Sequence, residues 1–286
     1  MTPVPASVDG AIGAARSAGV DRLDAQLLLA ELLGRPRTWL LAHGDAEIDA
    51  NRQRDFTALA ARRAAGEPLA YLLGRKEFHG LELRVDARVL VPRPETELLI
   101  DWAGELLGET ATGSNPPSLV DLGTGSGAIA LALKHAHPRT RVLATDASAD
   151  ALAVAAANAQ HLGLDIEFRL GSWWTAVGAE CFDLALSNPP YIAGDDAHLA
   201  ALHHEPIAAL TPGDDGLEAL RVLVAGASAH LGDGGWLLLE HGHDQAAAVR
   251  GLFAQHGFEA AATRTDLAGL DRCTGARRSL RSPRLR

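Results

Sequence analysis

The sequence predicts a mixed α/β protein, a mostly parallel sheet covered by helices on both faces and preceded by a small helical domain. Three observations predict this. From Ser118 onward, short apolar runs alternate with segments of helical period, the pattern of repeated β-α units whose crossovers cover a parallel sheet. Through the first 75 residues, apolar positions recur only at helical spacing. Between the two, Phe78, Leu81, Leu83, Val85 and Val89 alternate loosely around His79-Gly80, which reads as a β-hairpin. The expected divisions are a helical domain over 1–75, a hairpin linker over 76–92 and the α/β domain over 93–286. A chain of 286 residues holds one large domain or two smaller ones.

Asp21 is placed to cap a helix through Leu23, Leu27, Leu28, Leu32 and Leu33, with Gly34 and Pro36 ending it. A second helix is expected over 37–43. A third starts after Asp49 or Asn51 and carries Phe56, Leu59 and Ala60 on one face. Beyond the hairpin, Pro92 and Pro94 punctuate the chain, and a helix over 96–107 turns Leu98, Leu99, Trp102 and Leu106 to a core. Residues 110–118 form a Gly/Pro/Ser loop. Strands are then expected at 118–122, 141–145, 166–170, 182–187 and 235–240, with helices at 128–137, 149–162, 216–230 and 245–256. A strand over 258–264 follows. The last 15 residues, which hold six arginines, are expected to form an edge strand and then a loose tail.

Composition narrows the function. The net charge of −10 disfavours a protein whose main task is gripping nucleic acid, because phosphate contacts need clustered cations. The two cysteines, Cys181 and Cys273, make no disulfide framework and fit a reducing cytoplasm. The start has neither a basic nor an apolar signal region, so no signal peptide is expected. The most apolar run, near 151–157, is short and interrupted by Asn158, so no membrane span is expected.

Asp121-Leu122-Gly123-Thr124-Gly125-Ser126-Gly127 sits where a strand becomes a helix. Glycines at alternate positions let the backbone turn tightly and approach a ligand with no Cβ in the way. The turn falls at a strand's carboxyl end, where open α/β sheets bind ligands. Asp146 ends the next strand about 20 residues on, where a carboxylate can accept both hydroxyls of a ribose. With Ala128 the run also fits the looser dinucleotide fingerprint, so a nicotinamide enzyme is possible from this turn alone. The acidic residue two before the first glycine is more like the first motif of class I methyltransferases, in which the loop holds the amino acid and sulfonium end of S-adenosylmethionine.

Ser187-Asn188-Pro189-Pro190-Tyr191 follows the strand over 182–187, again at a carboxyl end. Two consecutive prolines fix φ and donate no hydrogen bond, so the loop is stiff. An amide or aromatic amine nitrogen is a poor nucleophile, because its lone pair is delocalised. Its N–H groups must be held by acceptors so that the lone pair points at the methyl group. The Asn188 side-chain oxygen and the Pro189 carbonyl can be those acceptors, and the Tyr191 ring can stack on the planar group. A dehydrogenase has no use for this motif.

With these two motifs together, the sequence resembles two groups of methyltransferases: those acting on adenine or cytosine amino groups of DNA, and the release-factor glutamine methyltransferases of the HemK/PrmC family. Further stretches resemble the second. They are Glu67 through Gly74 with Glu77-Phe78, Val91-Pro92-Arg93-Pro94-Glu95-Thr96-Glu97, Thr145 through Ser148 with Asn158-Ala159, Glu205-Pro206, and Asp215-Gly216-Leu217. The resemblance spans roughly residues 21–278. It implies a Rossmann-like class I methyltransferase sheet and S-adenosylmethionine held by Gly123, Thr124, Gly125, Ser126, Gly127, Asp146, Trp173 and Asn188. Asn188, Pro189, Pro190 and Tyr191 would hold the substrate, with Asn188, Pro189 and Tyr191 carrying catalysis. The substrate implied is the glutamine of the Gly-Gly-Gln motif in class I peptide chain release factors, docked by the helical domain in the cytoplasm. Two departures stand out. Ser172 occupies a position usually acidic in the family, and Trp174 beside Trp173 leaves a one-residue ambiguity.

Other residues have plainer readings. Arg93 and Glu95 either line the substrate mouth or form an ion pair between domains, and Glu205 is similar. His203-His204 and His241-x-His243 lack partners at ligand spacing, so no metal is expected. Two alternatives stay open: a DNA or RNA amino-methyltransferase, which would need a base-flipping pocket and a basic track, and a regulatory protein that binds cofactor without catalysis.

Overall fold

The computed structural model describes residues 6–110 and 116–279. It divides into two compact units, residues 1–75 and 76–286. In the first unit a two-residue pairing of β1 (Ala6–Ser7) with β2 (Glu47–Ile48) accompanies five helices. These are α1 (Val8–Ser17), α2 (Arg22–Leu33), α3 (Arg37–Ala42), α4 (Ala50–Ala64) and α5 (Leu69–Leu73). The caps follow the short polar residues before each long helix. Ser7 accepts the Gly10 amide, Asp21 the Leu23 amide at 2.7 Å, and Asp49 those of Asn51 and Arg52, satisfying donors that a helix start leaves open. Gly34 closes α2 in the left-handed conformation, φ 62°. Val8, Ile12, Leu28, Leu29, Leu40, Ile48 and Phe56 form the core of this unit.

At the boundary β3 (Arg75–Phe78) begins with the last residue of the first unit and pairs with β4 (Leu81–Arg84) in a hairpin turning at His79-Gly80. A short 3-10 turn at Pro94–Thr96 leads into α6 (Glu97–Thr110). Alternation then sets in: β5 (Ser118–Leu122), α7 (Ala128–Ala136), β6 (Arg141–Asp146), α8 (Ala149–Leu162), β7 (Glu167–Leu170), β8 (Phe182–Ser187), α9 (Glu218–His230), β9 (Leu231–Glu240), α10 (Ala246–Gln255), β10 (Phe258–Thr265) and β11 (Asp271–Arg278). The seven-stranded sheet runs β10-β11-β9-β8-β5-β6-β7. The pairs among β9, β8, β5, β6 and β7 are parallel, and β11 is antiparallel to both neighbours.

Period-two alternation along the strands builds two cores. Leu119, Leu184, Leu186 and Leu238 face α6 and α7. Val120, Ala185, Leu237 and Leu239 face α9 and α10. Helices therefore cover both faces, as expected from the sequence.

Two details differ from expectation. β11 is not an edge strand: it lies between β10 and β9, and Cys273, Thr274 and Ala276 are buried there. Its flanking arginines disguised a central strand of small residues. On α6, Leu98 and Leu106 are only partly buried, while Ile100, Ala103 and Leu107 join Leu99 and Trp102 inside. Most of the Gly/Pro/Ser loop and the arginine tail after 279 lie outside the described residues.

Candidate active site

Five parallel strands end on one edge of the sheet. β5 is the first of them in the chain, with β6 on one side and β8 on the other. The crevice beyond it is therefore the switch point at which such sheets bind ligands. A cleft of about 400 Å³ opens there, within the range of small-molecule sites, roughly 300–1,000 Å³. Gly123, Thr124, Gly125, Ser126, Asp146, Ser172, Trp173, Asn188 and Pro190 line it, together with Thr96, Arg93 and Pro206.

The glycine loop is held from beneath. The Thr124 hydroxyl donates to Asp121 Oδ2 at 2.6 Å, and burial pushes the Asp121 carboxyl up to about 7, with the Asp146 charge adding to the effect. The Asn158 amide, buried on α8, donates to the carbonyls of Ser126 and Arg84 and accepts the Arg84 amide. One side chain thus ties the loop to the hairpin. Gly127 does not line the cleft: a Cβ there would meet Leu131 and Ala155, so its place is where the loop packs on α8. At the end of β6, both oxygens of Asp146 are already oriented. Oδ2 accepts the Gly125 amide at 2.9 Å and Oδ1 the Ser148 amide at 2.8 Å, which leaves further lone pairs open to the cleft.

The neighbouring tryptophans part company. Trp173, with φ of 47°, lines the cleft. Trp174 is buried, donates its indole N–H to Leu223 and stacks on His230 at 4.9 Å. The one-residue ambiguity in the sequence is removed by burial. Ser172 lines the cleft beside Trp173, with an exposed side chain.

Asn188 sits at the end of β8 and its Nδ2 donates to Thr96 Oγ1 at 3.1 Å. Pro189 is buried and does not line the cleft. Nor does Tyr191, whose ring packs on the core over α9 and α10 and whose hydroxyl donates to Glu240 Oε1 at 3.2 Å. Its carbonyl accepts from Gln245 Nε2 at 3.0 Å. Gly216 is required beneath it, because a Cβ would stand 2.4 Å from the Tyr191 oxygen. That contact accounts for the glycine of Asp215-Gly216-Leu217. Asp215 itself is exposed and pairs with Arg221.

Arg93 pairs with Glu205, and Glu205 also accepts the Val91 amide at 3.0 Å. Both lie within the second unit, so the pair does not join domains. It binds the segment before α6 to the turn carrying Pro206. Glu95 is exposed and takes no part in it. Sequence reasoning missed Thr96 and Glu240, the latter buried at the end of β9. The strand-end position of Glu240, shared with Asp146 and Asn188, was the available signal. Among the described residues no group of three His, Cys, Asp or Glu is arranged to hold a metal. The His241 ring is buried against Thr274 and Gly242.

A switch-point cleft joining a Gly-x-Gly loop to a strand-end carboxylate is the fold and site of the class I methyltransferases that use S-adenosylmethionine. The cradle suits that group: Gly125 opens to the cleft with nothing within 4 Å of where a Cβ would stand, and Asp146 offers acceptors for a ribose. Residues 13–74 match the family model described as the PrmC N-terminal domain, and residues 97–257 match the methyltransferase small domain. A release factor glutamine methyltransferase of Xylella fastidiosa is 48% identical, covering 93% of this chain and 97% of its own length. Its counterpart from Burkholderia pseudomallei is 45% identical, covering 92% and 94%. A methyltransferase structure from Pyrococcus furiosus shares the fold with a TM-score of 0.53 at 16% identity, over 81% of this chain and 100% of that one. The chain belongs to the release factor glutamine methyltransferase family.

Proposed function

We propose that this protein transfers a methyl group from S-adenosylmethionine to the side-chain amide nitrogen, N5, of the glutamine in the Gly-Gly-Gln motif of class I peptide chain release factors. One juxtaposition carries the reading: a single cleft brings the loop 123–126, Asp146 and Trp173 together with Asn188. The bound cofactor would supply a methyl group made electrophilic by its sulfonium. Gly123 through Ser126 and Asp146 hold that group, and Trp173 walls its aromatic end.

The substrate amide carries a delocalised lone pair, so orientation is the main task. Asn188, which lines the cleft, accepts an N–H bond of the amide through Oδ1 and turns the lone pair toward the methyl group. As positive charge develops on nitrogen, the same oxygen stabilises it. The proton leaves after transfer, when the nitrogen is strongly acidic. Pro189 and Pro190 keep the loop stiff and add no competing donor. Tyr191, anchored on Glu240 and Gln245, sets where the loop ends. The helical unit docks the release factor, and the reaction takes place in the cytoplasm, where such factors work. No stable nucleic-acid partner is assigned: the net charge is −10, and the first 75 residues carry nine acidic and nine basic side chains.

The test is methyl transfer from radiolabelled S-adenosylmethionine, offering purified class I release factors beside double-stranded DNA. Label on the motif glutamine is expected, reduced roughly 100- to 1,000-fold by Asn188→Ala, the range for removing one preorganised polar group at a reacting centre. Label on DNA instead would overturn the substrate assignment.

A further inference from the structure

Gln245, the residue that opens α10, stands where four segments of the second unit meet. Its side-chain Nε2 donates to the Tyr191 carbonyl at 3.0 Å and to the Gly216 carbonyl at 3.4 Å. Its Oε1 accepts the Gly242 amide at 2.9 Å, and its own backbone amide donates to the Gly242 carbonyl. Only one orientation of the side-chain amide satisfies these partners. Turned over, its oxygen would face two carbonyls and its NH2 group an N–H. The His241 ring donates to the same Gly242 carbonyl through Nδ1 at 2.8 Å, which steadies the turn that carries Gln245. Gly216 completes the seat, because a Cβ there would stand 3.0 Å from Gln245 Nε2.

We propose that Gln245 is a positioning residue that sets where Asn188 stands in the cleft by holding the far end of the Asn-Pro-Pro-Tyr segment, a role that rests on Asn188 holding the substrate amide. The near end of the segment is fixed by the sheet. Ser187 is in register with Leu239 of β9, and its buried hydroxyl donates to the Leu122 carbonyl. Between the two ends the peptide planes are rigid and both proline rings fix φ. Few torsions are left to absorb a displacement of Tyr191, so a shift of its carbonyl is passed back to Asn188. The bond from the Tyr191 hydroxyl to Glu240 fixes the ring, whereas Gln245 fixes the backbone. Gln245 does not line the cleft, so it acts only through the segment it holds.

The two ends of the Gln245 amide have separable tasks. The oxygen closes the turn over 242–245, and the NH2 group holds Tyr191 and Gly216. A glutamate in its place keeps an acceptor for the Gly242 amide and loses both donors. A methionine has a similar length and loses all three bonds. Gln245→Glu therefore isolates the hold on Tyr191 from the closure of the turn. A displacement on the order of 1 Å at a reacting centre costs roughly 100-fold in rate. The bonds of the amide go to Tyr191, Gly216 and Gly242, and none of these is in the loop 123–126 or at Asp146. The loss therefore falls on methyl transfer and spares cofactor binding.

The experiment compares wild type, Gln245→Glu and Gln245→Met. It reads the single-turnover rate of methyl transfer to a release factor, the affinity for S-adenosylmethionine, the KM for release factor, and the NMR shifts of the Asn188 side-chain NH2 in the free protein. Gln245→Glu is expected to lower the rate roughly 10- to 100-fold, with KM and cofactor affinity kept, the pattern of an interaction that matters only in the transition state. The Asn188 NH2 signals should move with it, which closure of a distant turn alone would not cause. Gln245→Met is expected to show the same pattern and, being uncharged, decides the matter if the glutamate variant does not fold. A wild-type rate in Gln245→Glu would overturn the proposal. So would a rate that falls together with cofactor affinity while the Asn188 signals stay in place, because Gln245 would then support the fold and nothing more. Failure of the substrate reading looks different: wild type transfers no label to release factor, while the shift of the Asn188 signals still decides whether Gln245 positions that side chain.

Discussion

Trp173 lies against Gly123: a Cβ on Gly123 would stand 3.1 Å from Trp173 Cζ3. The two residues leave different strands, β5 and β7, and both are left-handed, with φ of 79° and 47°. For glycine that conformation carries little penalty. For a tryptophan it costs on the order of 1–3 kcal/mol, and it persists only where the surroundings hold it. Here the Gly171 amide on Asp146 and the flanking 3-10 turn at Trp173–Ala176 hold it. This wall of the cleft is thus preformed in the fold.

Gly123→Ala tests this contact. The new methyl group demands that Trp173 shift, and alanine at positive φ adds about 1–2 kcal/mol of its own. The expected outcome is a loss of stability of that size in denaturant titration, together with weaker S-adenosylmethionine binding by calorimetry. Unchanged stability and affinity would show that the ring yields freely.

Asp146→Asn separates a carboxylate from its near-isostere. Two backbone amides, from Gly125 and Ser148, each require an acceptor, and an asparagine side chain supplies only one. The other amide would face an NH2 group. Hydrogen bonds to a charged acceptor are worth about 1.5–3 kcal/mol, so cofactor affinity is expected to fall roughly 10- to 150-fold. Calorimetric titration reads it directly, and a change under threefold would remove Asp146 from the cofactor site.

The parts of the site legible in the sequence were those written locally. Gly123, Asp146 and Asn188 each stand at the end of an apolar run, and a strand end can be read from its own neighbours. Thr96 was hidden because its partner Asn188 lies 92 positions away, and Glu240 because it meets Tyr191 across 49. Tyr191 shows the same limit from the other side. Its place in the motif was plain, but the sequence could not show that its hydroxyl is taken by a buried carboxylate. The internal position of β11 escaped for a related reason: strand order depends on pairing with β9, and Arg277 and Arg278 at its end suggested solvent.

Asp121 gives the enzyme a stability that depends on pH. Its carboxyl is buried beneath the glycine loop, and burial, with the like charge of Asp146, lifts its pKa to about 7 from an ordinary 3.8. The neutral form is thereby favoured in the folded state. Below the unfolded value both states are protonated, and the full stability is present. As pH rises the unfolded chain releases its proton first, the folded state binds more protons, and stability falls until the folded carboxyl has also ionised. The window runs from about 4 to about 7. Glu240, raised by burial to about 7 from 4.5, contributes a second decline with the same sign. Asp121→Asn can still accept the Thr124 hydroxyl but cannot ionise, so it removes one of the two declines. Denaturant unfolding of both proteins at about pH 5 and pH 8 should show the variant gaining on wild type as pH rises, with part of the slope remaining from Glu240. If the two proteins lose the same stability between those conditions, Asp121 is already ionised beneath the loop at the lower pH, and the Thr124 hydroxyl stabilises a charge there rather than a neutral acid.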